Sequence, residues 1–375
     1  LTVELHDPFG NVRALGAFLG LPDDVYHGDP RYAAVPREEV MAALHRREFL
    51  RSQRAWVATV DDFPVARLVA RRSPALHDGQ GRPLGLLGFF EALEEPEGKE
   101  GALRLLAEAV AWLRETGAGR IVGPMDGDTW GRHRLNVGPF DDPPFLLEPY
   151  NPAWYPEIWE EAGFAVLESW FSKQVDPCDV VAHLYPRADR AREAGYHLRP
   201  LDRSRLADEL RLLCRLSREV FAGRSLFTEI PEEEFLALHA GSPGLLDPDL
   251  VLFARSPQGD DAGFLFAYPD RFRAVAAMRG KSGLLAKLRY HRRRDDTDTV
   301  DFKTLGVLPA HRRAGVAALL MHQGHLHAQG KGYRTANHCL VPAGGPAGEL
   351  DGGAGRLLRR YHLYEWSPAA EPPPA

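Results

Sequence analysis

The sequence predicts an α/β (α+β) chain of two tandem domains, and three observations carry that reading. At 375 residues the chain exceeds what one compact core usually holds. Two stretches, offset by roughly 200 residues, both read β-β-β-α-β. Between them, residues 177–202 mix proline, charge and a short helical pattern. The expected division is a first domain over 1–176, a linker over 177–194 and a second domain over 195–375.

The elements follow in chain order. "AWVATVDDFPVARLVAR", residues 55–71, is two apolar runs around a turn at "DDFP", which reads as a hairpin. "PLGLLGFFEAL" reads as a buried strand. In "GALRLLAEAVAWLRETGAG", Leu103, Leu106, Val110 and Leu113 recur at helical spacing and glycines close the run. "RIVGPM" reads as the next strand. The second half repeats the order. "DLVLFARSPQGDDAGFLFAYPD" is a hairpin and "VDFKTLGVLP" a strand. "AGVAALLMHQGHLHAQGKG" is a helix with Val316, Leu319, Leu320 and Leu326 on one face, and "YRTANHCL" is the strand after it. The Pro-rich end, "SPAAEPPPA", is expected to fray.

Composition narrows the function. Hydrophobic residues make up 44% and charged residues 26%, ordinary for a soluble globular chain. A net charge of −6 argues against a general nucleic-acid partner. No apolar run reaches the length of a membrane span, and "LTVELHDPFG" lacks the basic-then-apolar pattern of a signal peptide. Cys178, Cys214 and Cys339 are far apart and show no metal-ligand spacing. A cytoplasmic chain with no membrane, nucleic-acid or metal partner is therefore expected. Only six of the 46 basic residues are lysine, which with abundant Ala, Gly and Pro points to a GC-rich bacterial genome.

"TLGVLPAHRRAGVAALLM", residues 304–321, carries the chemistry. It reads as strand, turn and helix. The first N–H groups of a helix lack intrahelical partners, and the helix dipole favours an anion there. Small residues Ala314, Gly315 and Ala317 let a ligand approach, and Arg312 and Arg313 add donors suited to phosphate oxygens. On these residues alone, a pyrophosphate site and an ordinary strand-to-helix corner are both open.

The corner R-x-x-G-x-A, after a hairpin and strand and before another strand, resembles the GNAT acetyltransferase superfamily. "FTEIPEEEF", "FLFAYPD", "RRYHLYEW", "FLGLPDDVYHGDPRY", "GPMDGDTW" and "NPAWYPEIWEEAGF" extend the likeness, weakly, over nearly the whole chain. The resemblance implies two domains, each a mixed, mostly antiparallel sheet flanked by helices. It implies that Arg312, Arg313, Ala314, Gly315, Val316 and Ala317 cradle the pyrophosphate of acetyl-CoA. It also implies that a backbone N–H among Leu305, Gly306 and Val307, with Val307 the best placed, polarises the thioester carbonyl. The activity implied is N-acetyl transfer to a small-molecule or peptide amine by direct attack on the thioester. Family members often place a general-acid tyrosine on the helix after the corner's following strand. The glycine-rich "VPAGGPAGELDGGAG" occupies that place here and holds no tyrosine.

Several side chains are candidates for the remaining chemistry. Glu229 in "FTEIPEEEF" and His338 beside the thioester strand are candidate bases, with a structural histidine as the alternative for His338. Tyr361 on the closing strand is a candidate acid, with core packing as its alternative. Met125, Asp126 and Trp130 in "GPMDGDTWGRHR" read either as a ligand wall or as a packing loop. "KLRYHRRRDD" reads as a solvated hairpin tip, or as cations for an adenosine phosphate. In the first half the matching corner holds Glu91, Glu94, Glu95, Glu97 and Glu100 instead of arginine, so that half is expected not to bind coenzyme A. Two rivals remain: a coenzyme A-binding scaffold without activity, and a tRNA-dependent aminoacyltransferase.

Overall fold

A computed structural model describes residues 2–240 and 246–366, so the Pro-rich end lies outside the described residues. The chain divides into two compact units. The described parts of unit 1 are residues 2–169, 272–293 and 360–366; unit 2 holds residues 170–271 and 294–359, less the undescribed 241–245.

Unit 1 opens with β1 (Val3–His6), α1 (Val12–Val25) and α2 (Arg37–Leu44). Asn11 caps α1, its side-chain oxygen accepting from the Arg13 and Ala14 N–H groups. The hairpin expected around "DDFP" is β2 (Gln53–Val60) and β3 (Phe63–His77), with Val60 opposite Phe63. Asp61 and Asp62 both take positive φ, which suits the tight turn that matches strand twist. β4 (Pro83–Ala92) pairs antiparallel with β3, α3 (Pro96–Glu115) crosses over, and β5 (Ile121–Gly123) returns parallel to β4. β6 (Leu135–Gly138), α4 (Tyr155–Glu161) and β7 (Phe164–Val175) follow. The core packs Leu105, Leu106, Ala109 and Leu113 of α3 on Trp56, Leu68 and Leu87 of the sheet, with Trp159 of α4 in the same cluster against Phe90 and Phe164. β7 begins in unit 1 and ends in unit 2.

Residues 177–194 differ from the expected linker. They form α5 (Pro177–Glu193), capped by Asp176 and opened by Pro177. Val180, Leu184, Ala188 and Ala191 are fully buried, at the spacing of one helical face. Unit 2 continues with β8 (His197–Pro200), α6 (Leu206–Phe221), α7 (Glu232–Ala240), β9 (Val251–Arg255) and β10 (Asp261–Pro269). α8 (Phe272–Ala276) and α9 (Leu284–Arg293) are inserted after β10 and belong to unit 1. The run "KLRYHRRRDD" is thus mostly the helix α9, not a hairpin tip. β11 (Thr299–Val307), α10 (Val316–Gly330), β12 (Thr335–Pro342) and β13 (Arg356–Trp366) complete the chain. In unit 2 the sheet order is β7-β12-β11-β10-β9-β8, with only the β11–β12 pair parallel. Both units therefore have the predicted β-β-β-α-β order and a mixed, mostly antiparallel sheet flanked by helices. "VPAGGPAGELDGGAG" forms only a short 3-10 turn at Pro346–Glu349, in keeping with its glycine content.

Candidate functional site

The site is built where β11 loses a neighbour. β11 pairs with β12 only from Thr299–Thr335 to Phe302–His338. Beyond that point β12 shifts register and follows β7, with Leu340 at φ 53°. On its other side, β11 stays in ladder with β10, and the Leu308 N–H donates to Ala262 O at 2.9 Å. Antiparallel ladders alternate hydrogen-bonded and non-bonded pairs. Counting back from Leu308, Gly306 also faces β10, opposite Phe264, and its N–H is spent in the ladder. Leu305 and Val307 face the gap. Among the described residues the Val307 N–H has no hydrogen-bond partner, while the Val307 carbonyl accepts from Arg312 Nε at 3.4 Å.

The corner follows at once. A 3-10 turn, Pro309–His311, leads to Arg313 at φ 75° and Gly315 at φ 80°, both left-handed. Gly315 stands just before α10, and a Cβ there would lie 2.9 Å from Arg187 O and 3.2 Å from Ala191 Cβ on α5. Fold packing alone therefore demands the glycine. Arg312 and Arg313 are both exposed but differ in role. Arg312 turns back on the protein, toward Val307 O and Val220 O. Arg313 makes no hydrogen bond or ion pair among the described residues. The N–H groups of Arg313, Gly315, Val316 and Ala317 likewise have no partner among the described residues, as expected for a helix start without a side-chain cap. Orphan donors, one unpaired guanidinium and an open strand edge fit a pyrophosphate followed by a thioester.

Unit 1 offers the internal comparison. The Leu93 N–H donates to Val65 O at 2.9 Å and Ala66 stands opposite Ala92, as Gly263 stands opposite Val307. Ala92 is thus the counterpart of Val307. Its N–H donates to Tyr155 Oη at 2.8 Å, and its carbonyl accepts from Trp154 Nε1 at 3.2 Å. Tyr155 in turn donates to the buried Glu91, which also accepts from Tyr26, both at 2.8 Å. Arg67 and Arg132 stand 3.5 and 3.8 Å from the same carboxylate. Burial, then Glu91, pushes the Tyr155 hydroxyl pKa well up, so it stays a proton donor. Glu91 therefore lies inside the sheet, not at the helix start where the sequence reading placed it. Lys99, the lone cation near that helix start, is engaged by Glu157 and Glu161 on α4.

The loop "GPMDGDTW" fills the corresponding gap beside β4. The β4–β5 pairing covers only Gly85–Ile121 and Leu86–Val122. Past it, the Met125 N–H donates to Leu87 O and the Phe89 N–H to Asp126 Oδ1, both at 2.6 Å. A Cβ at Gly88 would lie 2.5 Å from Met125 O, so glycine admits the loop. Met125 is fully buried and Trp130 half-buried, and Arg71 donates to Asp126 O. Burial raises the Asp126 carboxyl pKa against the pull of Arg132. The space left between Phe89, Phe90, Arg132, Tyr150 and Tyr155 is about 30 Å³, the room of one water.

The other candidates are scattered. Glu229 is exposed in the loop before α7 of unit 2. His338 is buried opposite Phe302, where β12 leaves β11. Its Nε2 lies 3.1 Å from His325 Nε2, and His325 Nδ1 lies 2.8 Å from Met321 O. A carbonyl only accepts, so His325 carries its proton on Nδ1 and receives the His338 Nε2–H. Burial pushes His338 down to about 4, so it is neutral at physiological pH. Tyr361 is in unit 1, fully buried, with its hydroxyl on Glu148. Sequence reasoning missed Tyr155 as the group that closes unit 1. The signal was present, since Tyr155 lies in "NPAWYPEIWEEAGF", one of the stretches that extend the family likeness. No helix among the described residues is long and apolar enough to cross a membrane, and no cluster of three or more metal-ligand side chains occurs among them.

The fold has known counterparts. The chain has the fold of the GCN5-related N-acetyltransferases. A GCN5-related glucosamine N-acetyltransferase region of a fungal multi-domain β-N-acetylglucosaminidase superposes with a TM-score of 0.56 at 15% identity, covering 97% of this chain and 38% of that one. A probable N-acyltransferase from Enterococcus faecalis V583 gives 0.54 at 12% identity, covering 97% and 72%. Two sequence relatives align as well. Protein YghO of Escherichia coli K12 is 25% identical over 278 residues, 72% of this chain and 70% of that protein. The bacterial ceramide synthase of Caulobacter vibrioides is 28% identical over 204 residues, 54% of this chain and about half, 52%, of its relative. No family model matches the sequence.

Proposed function

We propose that the chain is an N-acyltransferase whose second unit binds an acyl-coenzyme A thioester and passes the acyl group to an amine. The observation that carries this is the open β11 edge, with an unpartnered Val307 N–H, leading directly into the uncapped start of α10. The pyrophosphate would lie against the N–H groups of Val316 and Ala317 and against Arg313. The thioester carbonyl would accept from the Val307 N–H. A neutral amine attacks the carbonyl carbon, the C–S bond breaks, and the ammonium proton leaves as the thiolate gains one. An oriented backbone donor stabilises the oxyanion of that step by a few kcal/mol.

Acetyl is the acyl group the sequence resemblance implies. A second reading, a fatty acyl group and a long-chain amine, is supported by the likeness to a ceramide synthase, since ceramides are N-acylated lipids. Calorimetry with coenzyme A on the full chain tests the shared claim, with Ala317→Asp as the variant. A carboxylate there suits the helix dipole but repels a pyrophosphate. Binding by wild type and none by Ala317→Asp is expected; equal binding by both overturns the assignment. Thiol release from acetyl-CoA against long-chain acyl-CoA then separates the two readings.

A further inference from the structure

We propose that the α8–α9 insert docks the protein on the surface of an anionic lipid bilayer. Residues 271–294 hold nine Lys or Arg and no Asp or Glu, in a chain whose net charge is −6. The rest of the chain therefore sums to −15 (−6 minus +9), and this segment stands apart from it. Lys281, Lys287, Arg289, Arg292 and Arg293 are exposed, and none makes an ion pair among the described residues.

Apolar residues lie within the same segment. Leu284, Leu285 and Leu288 are 85%, 71% and 46% exposed, on a helix that packs through Ala286 and half-buried Tyr290. Positions i, i+1 and i+4 share one helical face, and Ala286 and Tyr290 lie opposite it. Arg292 continues the outer face one turn on, with Lys287 and Arg289 at its sides. The insert is fixed at its base, where Phe272 and Ala274 are buried and Ser282 Oγ lies 3.3 Å from Glu38 Oε1. An apolar face flanked by cations is the pattern of a helix lying in the headgroup layer, where leucines enter the acyl boundary and cations meet anionic lipid. Charge selects the occupant. A second copy seated on this face would oppose the same nine cations to themselves, and a nucleic acid gives no use for three outward leucines.

The inference stands on the α8–α9 insert, apart from the acyl-transfer reading. Co-sedimentation of the full chain with vesicles tests it, using phosphatidylcholine alone and phosphatidylcholine with phosphatidylglycerol. Wild type is expected to bind the anionic vesicles, to ignore the neutral ones and to be released by salt. Replacing Leu284, Leu285 and Leu288 by Ser together, or Arg292 and Arg293 by Glu together, should each lower partitioning about tenfold or more. Thermal melting of both variants checks that the fold is retained. No binding of wild type to anionic vesicles overturns the inference, as does binding that neither variant weakens. So does a concentration-dependent dimer lost in the leucine variant without vesicle binding, or nucleic-acid capture indifferent to the leucines.

Discussion

Arg313→Gly separates the corner's role in binding from its role in folding. Arg313 holds φ 75°, a left-handed conformation that costs an L-residue roughly 1–2 kcal/mol and glycine nothing. Glycine gives back about 0.5–1 kcal/mol through the freedom of the unfolded chain. Arg313 is exposed and makes no ion pair among the described residues, so its removal breaks no internal contact. Stability is therefore expected to hold or to rise by up to about 1.5 kcal/mol. Binding should go the other way. A charged hydrogen bond to phosphate contributes about 1.5–3 kcal/mol, and solvent exposure places this one at the low end. The Kd for coenzyme A should thus rise about tenfold at low salt, and the difference should shrink as salt is added. Calorimetry reads the Kd and a thermal melt reads the stability. An unchanged Kd in a well-folded variant refutes the placement of the pyrophosphate; a large fall in stability refutes the account of Arg313 as a free side chain.

Three further outcomes follow from single contacts. Gly315→Ala puts a Cβ 2.9 Å from Arg187 O at a left-handed φ, and should cost roughly 2 kcal/mol in denaturant unfolding; an unchanged midpoint contradicts the α5–α10 packing. Tyr155→Phe strands the Ala92 N–H and part of the Glu91 carboxylate, and should cost about 1–3 kcal/mol without changing coenzyme A affinity. His338 is held neutral, with a folded pKa of about 4 against about 6.5 unfolded. Above pH 6.5 neither state binds the proton; as pH falls toward 4 the unfolded state takes it first, and about 3 kcal/mol of stability is lost across that window. Melting temperatures of wild type and His338→Gln from pH 7 to pH 4 check this, the variant being expected to show the shallower decline.

The repeated element order was legible because it rests on periodicity, which a single chain displays. The hairpin turn at Asp61–Asp62 and the helix after Gly315 were legible for the same local reason. Two errors came from reading charge as disorder of pattern. Residues 177–194 carry Val180, Leu184, Ala188 and Ala191 at helical spacing, but Pro177, Pro186 and the surrounding charges suggested a linker. Leu284–Arg293 has no glycine or proline and spaces its leucines for a helix, yet the charges of "KLRYHRRRDD", residues 287–296, suggested a solvated hairpin tip. The gap beside β11 was beyond reach. It depends on β12 parting from β11 after His338 while staying paired with β7, and nothing in "ANHCLVP" marks that departure. The tautomer order of His325 and His338 likewise needs the distance between a helix and a strand.

The two units together sort the corner's features into those the fold needs and those it does not. The glycine is needed, because α5 approaches where its Cβ would stand. It therefore says nothing about a ligand, although it is the most conspicuous part of the motif. The backbone comparison says more. Both units turn one N–H of the same strand away from its hairpin partner, at Ala92 and at Val307. Unit 1 satisfies it with Tyr155 and closes the gap with Asp126 and the Met125 N–H. A buried N–H left unpaired costs about 1–3 kcal/mol, so such closure is what a strand with no ligand requires. Among the described residues, unit 2 brings no side chain to the N–H of half-buried Val307 and sets Arg313, without an ion pair, a few residues beyond it. On the proposed function, a thioester carbonyl followed by a pyrophosphate would supply both missing partners in one molecule, in the order in which the chain presents them.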